Sequence, residues 1–337
     1  MSDRIRLAHG FGGKLTQDLL DEVIIPALSG HNGHAVTLDA AVLPDLRPPV
    51  VVSTDSFTIT PRFFPGGDIG KLAVVGTIND VAMMGAAPRY LSLGLIIEEG
   101  FALEELTRIM RSIGEVCRAT GVEVVTGDTK VVEKGTVDGL FINTTGLGTR
   151  VFGPVGPSLI RAGDLLLVTG TVGDHGAAIL NAREKLGFAR ELASDCAPLH
   201  ELVAQAAAVA GPHLHALRDP TRGGLAATLN EFAQDTGLQI VLEETQIPIA
   251  PGVAAFIEVL GLDPLPLANE GKALLFVAPE AADAVLETIR RHPHGANAVR
   301  IGRVEPGGKR GRVVMETAIG TRRVVEMPIE AGLPRIC

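Results

Sequence analysis

The sequence predicts an α/β (α+β) protein of two domains with a short tail, and three observations carry that expectation. The chain has 337 residues, more than the roughly 100–200 that one domain commonly spans. β-Branched, strand-like runs alternate with apolar stretches at helical spacing in both halves. The cluster Gly153-Pro154-Val155-Gly156-Pro157 breaks that alternation near the middle, with residues that end helices and strands alike. Nothing resembles a repeat array.

In chain order, residues 1–34 hold a Gly-rich start, His9-Gly10-Phe11-Gly12-Gly13-Lys14, then an amphipathic stretch ending near Pro26. They read as a lid and a helix. Strands are expected over 35–43 and 50–60, the latter rich in β-branched residues. A helix is expected over 68–84, where Leu72, Val75 and Ile78 recur at helical spacing. Then come a strand at 90–97, a helix at 103–120 and strands at 123–126 and 140–149, closing a domain of 35–152. The second domain, 157–327, opens with a buried-looking strand at 164–169 that leads through Gly170-Thr171-Val172-Gly173-Asp174-His175-Gly176 into a helix. Further helices are expected at 199–210, 223–236, 253–260 and 281–290, and strands at 239–242, 273–277, 300–304, 312–316 and 322–327. Residues 328–337 form the tail.

Composition narrows the function. Hydrophobic residues make up 46% of the chain, with no Trp and one Tyr, so aliphatic side chains must do the packing. A formal charge of −9 argues against nucleic acid, whose binding rests on basic residues meeting phosphates. Three cysteines, Cys117, Cys196 and Cys337, offer neither a full disulfide set nor a Cys-x-x-Cys spacing. Thiols without a signal peptide point to the cytoplasm. No apolar run approaches the roughly 20 residues of a spanning helix.

Nucleotide signatures are incomplete. Gly66-Gly67-Asp68-Ile69-Gly70-Lys71-Leu72 is one residue short of a P-loop, and Leu72 stands where Ser or Thr should be. Gly170 to Gly176 does not match the dinucleotide fingerprint and reads as a tight turn. Four aspartates are more telling: Asp39, Asp55, Asp80 and Asp128, each among apolar or small residues where a lone charge is costly to bury. Capping or turn formation is the commoner role for any one of them. Together they point to a Mg²⁺–phosphate site. The last residue, Cys337, suits a tethered sulfur that receives a group and hands it on; its alternative is a frayed end. Cys117, Met83 and Met84 read as core, Cys196 as unreactive, and the pairs His31/His34, His213/His215 and His292/His294 as solvated turns. His9 and His175 are assigned no role from the sequence.

Several runs taken together make the chain recognisable: Thr54-Asp55-Ser56-Phe57, Phe63-Phe64-Pro65-Gly66-Gly67-Asp68, Asn79-Asp80 with Met83-Met84-Gly85-Ala86, Gly127-Asp128-Thr129-Lys130, Arg218-Asp219-Pro220-Thr221-Arg222-Gly223-Gly224-Leu225, and the terminal Pro334-Arg335-Ile336-Cys337. They resemble the superfamily of aminoimidazole ribonucleotide synthetase, selenophosphate synthetase and thiamine monophosphate kinase. Within it they are most similar to the carbamoyl dehydratases of hydrogenase maturation.

The resemblance covers essentially the whole chain. It implies an aminoimidazole-ribonucleotide-synthetase-like fold: a β-rich dimerising N-terminal domain, a C-terminal α/β sandwich and a flexible tail. It also implies a homodimer with ATP and Mg²⁺ as cofactors. A partner carbamoyltransferase would load Cys337 with an S-carboxamide. ATP would then drive its dehydration to an S-cyanate, whose cyanide goes to the iron of a [NiFe] hydrogenase through an iron-carrying maturation complex. Asp39, Asp55, Asp80 and Asp128 would bind metal. Gly10, Gly12, Gly13 and Lys14 would fold over phosphates, while Asn79, Thr129, Asp219 and Arg222 would serve the nucleotide. Asp219 could instead cap the helix opening at Gly223. Cys337 would carry the substrate, with Lys130 or Glu270 as base; a solvated lysine and a surface carboxylate are their bland alternatives. A related small-molecule kinase or synthetase, or a non-enzymatic carrier, are the competing functions.

Overall fold

The computed structural model describes residues 4–10, 14–28, 43, 45–188, 192–308, 311–328 and 335–337. The strand expected at 35–43 lies almost wholly outside them, as do Gly12, Gly13, Asp39 and the pair His31/His34.

The N-terminal helical stretch runs through α1 (Lys14–Leu19), a π-type turn (Leu20–Ile24) and α2 (Ile25–Leu28). It does not stop at Pro26. The Ile25 N–H bonds Leu20 O, and this wide turn absorbs the donor that a proline lacks.

The first sheet has four strands in the order β1 (Val50–Phe57), β6 (Leu140–Arg150), β4 (Ala86–Glu98), β5 (Glu123–Val132). All pairs are antiparallel except β4 with β5. A small hairpin, β2 (Phe63–Phe64) with β3 (Gly67–Asp68), precedes α3 (Ile69–Met83). Asp68 caps α3, accepting from Gly70 N at 2.8 Å and Lys71 N at 3.1 Å. α3 is buried on nearly every side, which explains its run of apolar residues. α4 (Leu103–Thr120) instead buries one stripe, Leu106, Ile109, Met110, Ile113 and Cys117. Strand β5 passes the predicted end at Thr126, because Gly127 permits a pairing so close that a Cβ there would meet Leu93 O at 2.5 Å.

The second sheet has seven strands in the order β13 (Arg322–Val325), β12 (Arg312–Glu316), β9 (Gln239–Glu243), β11 (Val299–Glu305), β7 (Leu165–Val168), β10 (Leu274–Val277), β8 (Leu214–Arg218). Side chains alternate between two cores. Leu166, Val168, Leu274 and Phe276 face the layer of α7 (Gly224–Thr236), whereas Leu167, Leu275 and Val277 face α6 (His200–Ala210) and α9 (Pro279–Arg290). α5 (Asp174–Glu184) lies against α8 (Pro251–Leu260) and hairpin strand β2.

Strand β8 escapes the sequence reading, and it corrects the view of His213 and His215 as a solvated turn. His215 lies within that strand, buried, with Nδ1 2.7 Å from the buried Asp164 carboxylate; His213 stays exposed beside Glu280. Met84 is also not core: as the C-cap of α3 it is 45% exposed, while Met83 is buried.

Candidate active site

Four segments converge on the end of the chain. β1 contributes Asp55 and, just beyond it, Thr58. α3 contributes Asp80. The loop after β8 contributes Asp219 and Arg222, and the segment before β10 contributes Glu270. Thr58 N donates to the Cys337 main-chain oxygen at 2.9 Å, and Arg335 Nε returns a bond to Thr58 O at 2.8 Å. Arg335 also meets Asp138 at 2.8 Å. Ile336 is buried in the core of the first half, together with Ile179, Cys196 and Ala268 from the second. The expected flexible tail is therefore docked at its last three residues.

The Cys337 sulfur accepts from Arg222 Nη2 at 3.6 Å. Burial, with Glu270 adding to it, pushes this thiol up to about 11, and Arg222 pulls it back down. Glu270 is 2% exposed, which overturns the surface-carboxylate alternative. Its Oε1 is buried with no hydrogen-bond partner among the described residues. Burial, then the neighbouring Asp219, Asp195, Asp55 and Asp80, hold the Glu270 carboxyl well above the usual range. Burial also raises Asp55. Asp80 accepts from Ser53 Oγ at 2.7 Å, yet burial and Asp55 raise it. Asp219 is pushed up to about 7 by burial, Asp80 and Asp55. It caps no helix: the N-cap of α7 is Gly223, without a side-chain bond.

These carboxylates repel one another in a poorly solvated place, which is what a cation relieves. Among the described residues no three or more ligand-type side chains form a ready-made cage. Carboxylates are the donors that Mg²⁺ takes, one or two of them together with phosphates and waters.

Other expected residues lie elsewhere. Asp128 and Lys130 pair with each other at 2.7 Å on edge strand β5, three strands from β1, about 14 Å at ordinary strand spacing. Their register opposite Gly94 and Ile96 puts them on the outer sheet face, away from Asp55 on the inner one. Within one subunit, then, Lys130 does not meet Cys337. Thr129 lines a cavity of about 230 Å³ with Thr16, Leu20 and Ile24. Lys14 is exposed and bonded to Asp18 at 2.8 Å, and Gly10 ends a short 3₁₀ turn. Asn79 is committed to protein: its amide donates to Ala197 O at 3.1 Å and accepts from Leu199 N at 2.8 Å.

Sequence reasoning missed the strap 194–199 that this amide grips. Asp195 Oδ1 accepts from Glu270 N at 3.0 Å, and Asp195 Oδ2 is 3.0 Å from Lys272 Nζ. Gly271 allows the close approach; a Cβ there would meet Asp195 O at 1.9 Å. Only the fold brings these residues together, and no local pattern could have announced them.

Fold and site together define an AIR synthase related protein. The profile of the AIR synthase related protein N-terminal domain matches residues 37–150, and that of the C-terminal domain residues 161–315. The carbamoyl dehydratase HypE of Cupriavidus necator is 48% identical over 100% of this chain and 95% of its own length. The crystal structure of a hydrogenase maturation protein HypE in complex with ATP superimposes with a TM-score of 0.94 at 45% identity, covering 98% of this chain and 99% of that one. A HypE–HypF complex contains a chain with a TM-score of 0.81 and 42% identity, covering 92% of this chain and 99% of that one. The chain belongs to the HypE family of carbamoyl dehydratases.

Proposed function

We infer that this protein is an ATP-dependent carbamoyl dehydratase of hydrogenase maturation, and that it dehydrates an S-carboxamide carried on its own Cys337. The observation that carries this reading is the docked Cys337 sulfur, 3.6 Å from Arg222, beside the unpartnered carboxylate oxygen of Glu270 and the Asp55–Asp80–Asp219 cluster. The relative crystallised with ATP supports ATP as the phosphoryl donor.

An amide oxygen is a very poor leaving group. Its attack on the γ-phosphorus breaks the bond to ADP and turns it into a phosphate ester of an imidate. The nitrogen then loses two protons: one as the imidate forms, one as the C–O bond breaks to release phosphate and leave S–C≡N. Glu270, whose surroundings make it an unusually basic carboxylate, accepts one of them, and the departing phosphate takes the other. Arg222 holds the sulfur in place. Asp55 and Asp80 would hold Mg²⁺, with Asp219 beside them, and the ion would supply charge neutralisation for the phosphates.

A second copy completes the reading. Among the described residues none covers the outer face of the four-stranded sheet, where Val50 is 41%, Val52 59% and Ile96 41% exposed. Asp128 and Lys130 lie on that face, so a homodimer formed through it carries them toward the partner's nucleotide. The HypE–HypF complex supports HypF as the carbamoyltransferase that loads Cys337. An iron-carrying maturation complex is the acceptor of the cyanide.

Mass spectrometry of the carbamoyl-loaded protein provides the test. Loss of one water mass from the Cys337 peptide is expected with Mg²⁺ and ATP, and not with either omitted. An unchanged mass with both present, or full turnover of a free substrate by Cys337→Ala, would sink the reading.

A further inference from the structure

Among the described residues, His175 is the one buried histidine in contact with the end of the chain, and nothing in the dehydration chemistry uses it. It is fully buried in the first turn of α5, its ring edge-on to Phe64 at 5.6 Å. Nε2 lies 2.8 Å from Ile336 O, and Nδ1 lies 2.7 Å from Ser194 Oγ. A carbonyl can only accept. So Nε2 carries the proton, Nδ1 accepts from the Ser194 hydroxyl, and Ser194 Oγ in turn accepts from Cys196 N at 3.1 Å. Burial lowers the pKa of the ring, in keeping with this neutral tautomer.

The chain of bonds has consequences at both ends. On one side it fixes the carbonyl immediately before Cys337. On the other it joins strap 194–199, whose Asp195 holds Glu270 N and whose Ala197 and Leu199 are held by Asn79, the neighbour of Asp80. The strap is anchored independently by Ser194 N to Pro65 O at 2.8 Å. One histidine therefore sets the tail in register with the candidate base and the acidic helix.

We propose that His175 is a positioning residue: its Nε2–H latches the Ile336 carbonyl and thereby seats Cys337 against Glu270 and Arg222. The latch favours dehydration and opposes loading, because a partner enzyme needs the sulfur exposed. This use of the latch rests on the dehydratase reading; the docking it describes does not.

The experiment follows alkylation of Cys337 by iodoacetamide in the full chain, without nucleotide, quantified on the C-terminal peptide. Glutamine places an amide N–H near the Nε2 position, whereas asparagine falls short of it. His175→Asn should raise the alkylation rate about fivefold to tenfold, the range of one lost buried hydrogen bond. His175→Gln should stay close to the original protein. Equal rates in all three, or an equal rise in both variants, overturn the latch. If His175→Asn does not fold, Ser194→Ala, which frees the tautomer without emptying the core, must give a rise of at least about twofold; an unchanged rate overturns the proposal. With carbamoyl-loaded protein and ATP, His175→Asn should slow water loss while leaving loading as fast or faster. Failure of water loss in the unaltered protein would instead defeat the dehydratase reading and leave the alkylation result standing.

Discussion

Arg222 and Cys337 show how one contact sets the chemistry of a thiol. The sulfur sits in a place that opposes its ionisation, so its pKa rises from the ordinary 9.0 to about 11. Arg222 is the cation that limits the rise, and Cys337 in turn leads the causes that raise Arg222. The sign follows directly. Between pH 9 and 11 a free tail thiol ionises while the docked one keeps its proton, so docking weakens as pH rises through that window. Arg222→Gln removes the lowering partner. The pH titration of Cys337 thiolate absorbance in the docked protein, read against a Cys337→Ala baseline, should then move to higher pH. The thiolate present at about pH 9 should fall severalfold, because its fraction drops about tenfold for each pH unit by which the profile moves. A profile unmoved by the substitution would mean that Arg222 does not sense the sulfur.

At the scale of elements, α3 and strap 194–199 act as one unit. Asn79 reads from the sequence as a nucleotide ligand, since it precedes Asp80 in a family motif. In the fold its amide is used on Ala197 and Leu199. Asn79→Ala leaves a buried N–H and a buried C=O unpaired, at about 1–3 kcal/mol each. The expected result is a urea midpoint lowered to match, with ATP affinity falling only as far as the strap moves. A variant of unaltered stability that has lost ATP binding would restore the ligand reading. α4 is legible because its buried residues recur every three to four positions, and α3, buried on nearly every side, as a long apolar run in which Leu72, Val75 and Ile78 fall at helical spacing. β8 is not: Leu-His-Ala-Leu-Arg is short, and its histidine reads as polar until Asp164 pairs with it across the fold.

At the scale of the whole molecule, the described residues leave one face of the four-stranded sheet exposed beside an internal site. Val52, 59% exposed, lies in that face with Val50 and Ile96, a combination that a second copy would bury. A charge there, Val52→Asp, should convert a dimer to monomer in sedimentation at micromolar concentration and abolish dehydration. Mixing it with a second inactive variant bearing Lys130→Ala should give no activity. An active monomer would remove the need for the partner's Asp128 and Lys130.

The sequence by itself determined the class of protein, the helices and most strands, and singled out Cys337, Asp55, Asp80, Asp219, Arg222 and Glu270 as candidates for the proposed chemistry, because periodicity and motif residues are local properties. Only the tertiary structure decided that the last three residues dock, that Asn79 bonds Ala197 and Leu199 while Asp195 bonds Glu270 and Lys272, that His175 touches the tail, and that Asp128 and Lys130 face outward. Those facts depend on which distant segments share a boundary, on sheet order and on the side of each strand. Such relations are fixed by burial summed over the whole chain, not by the neighbours of any one residue.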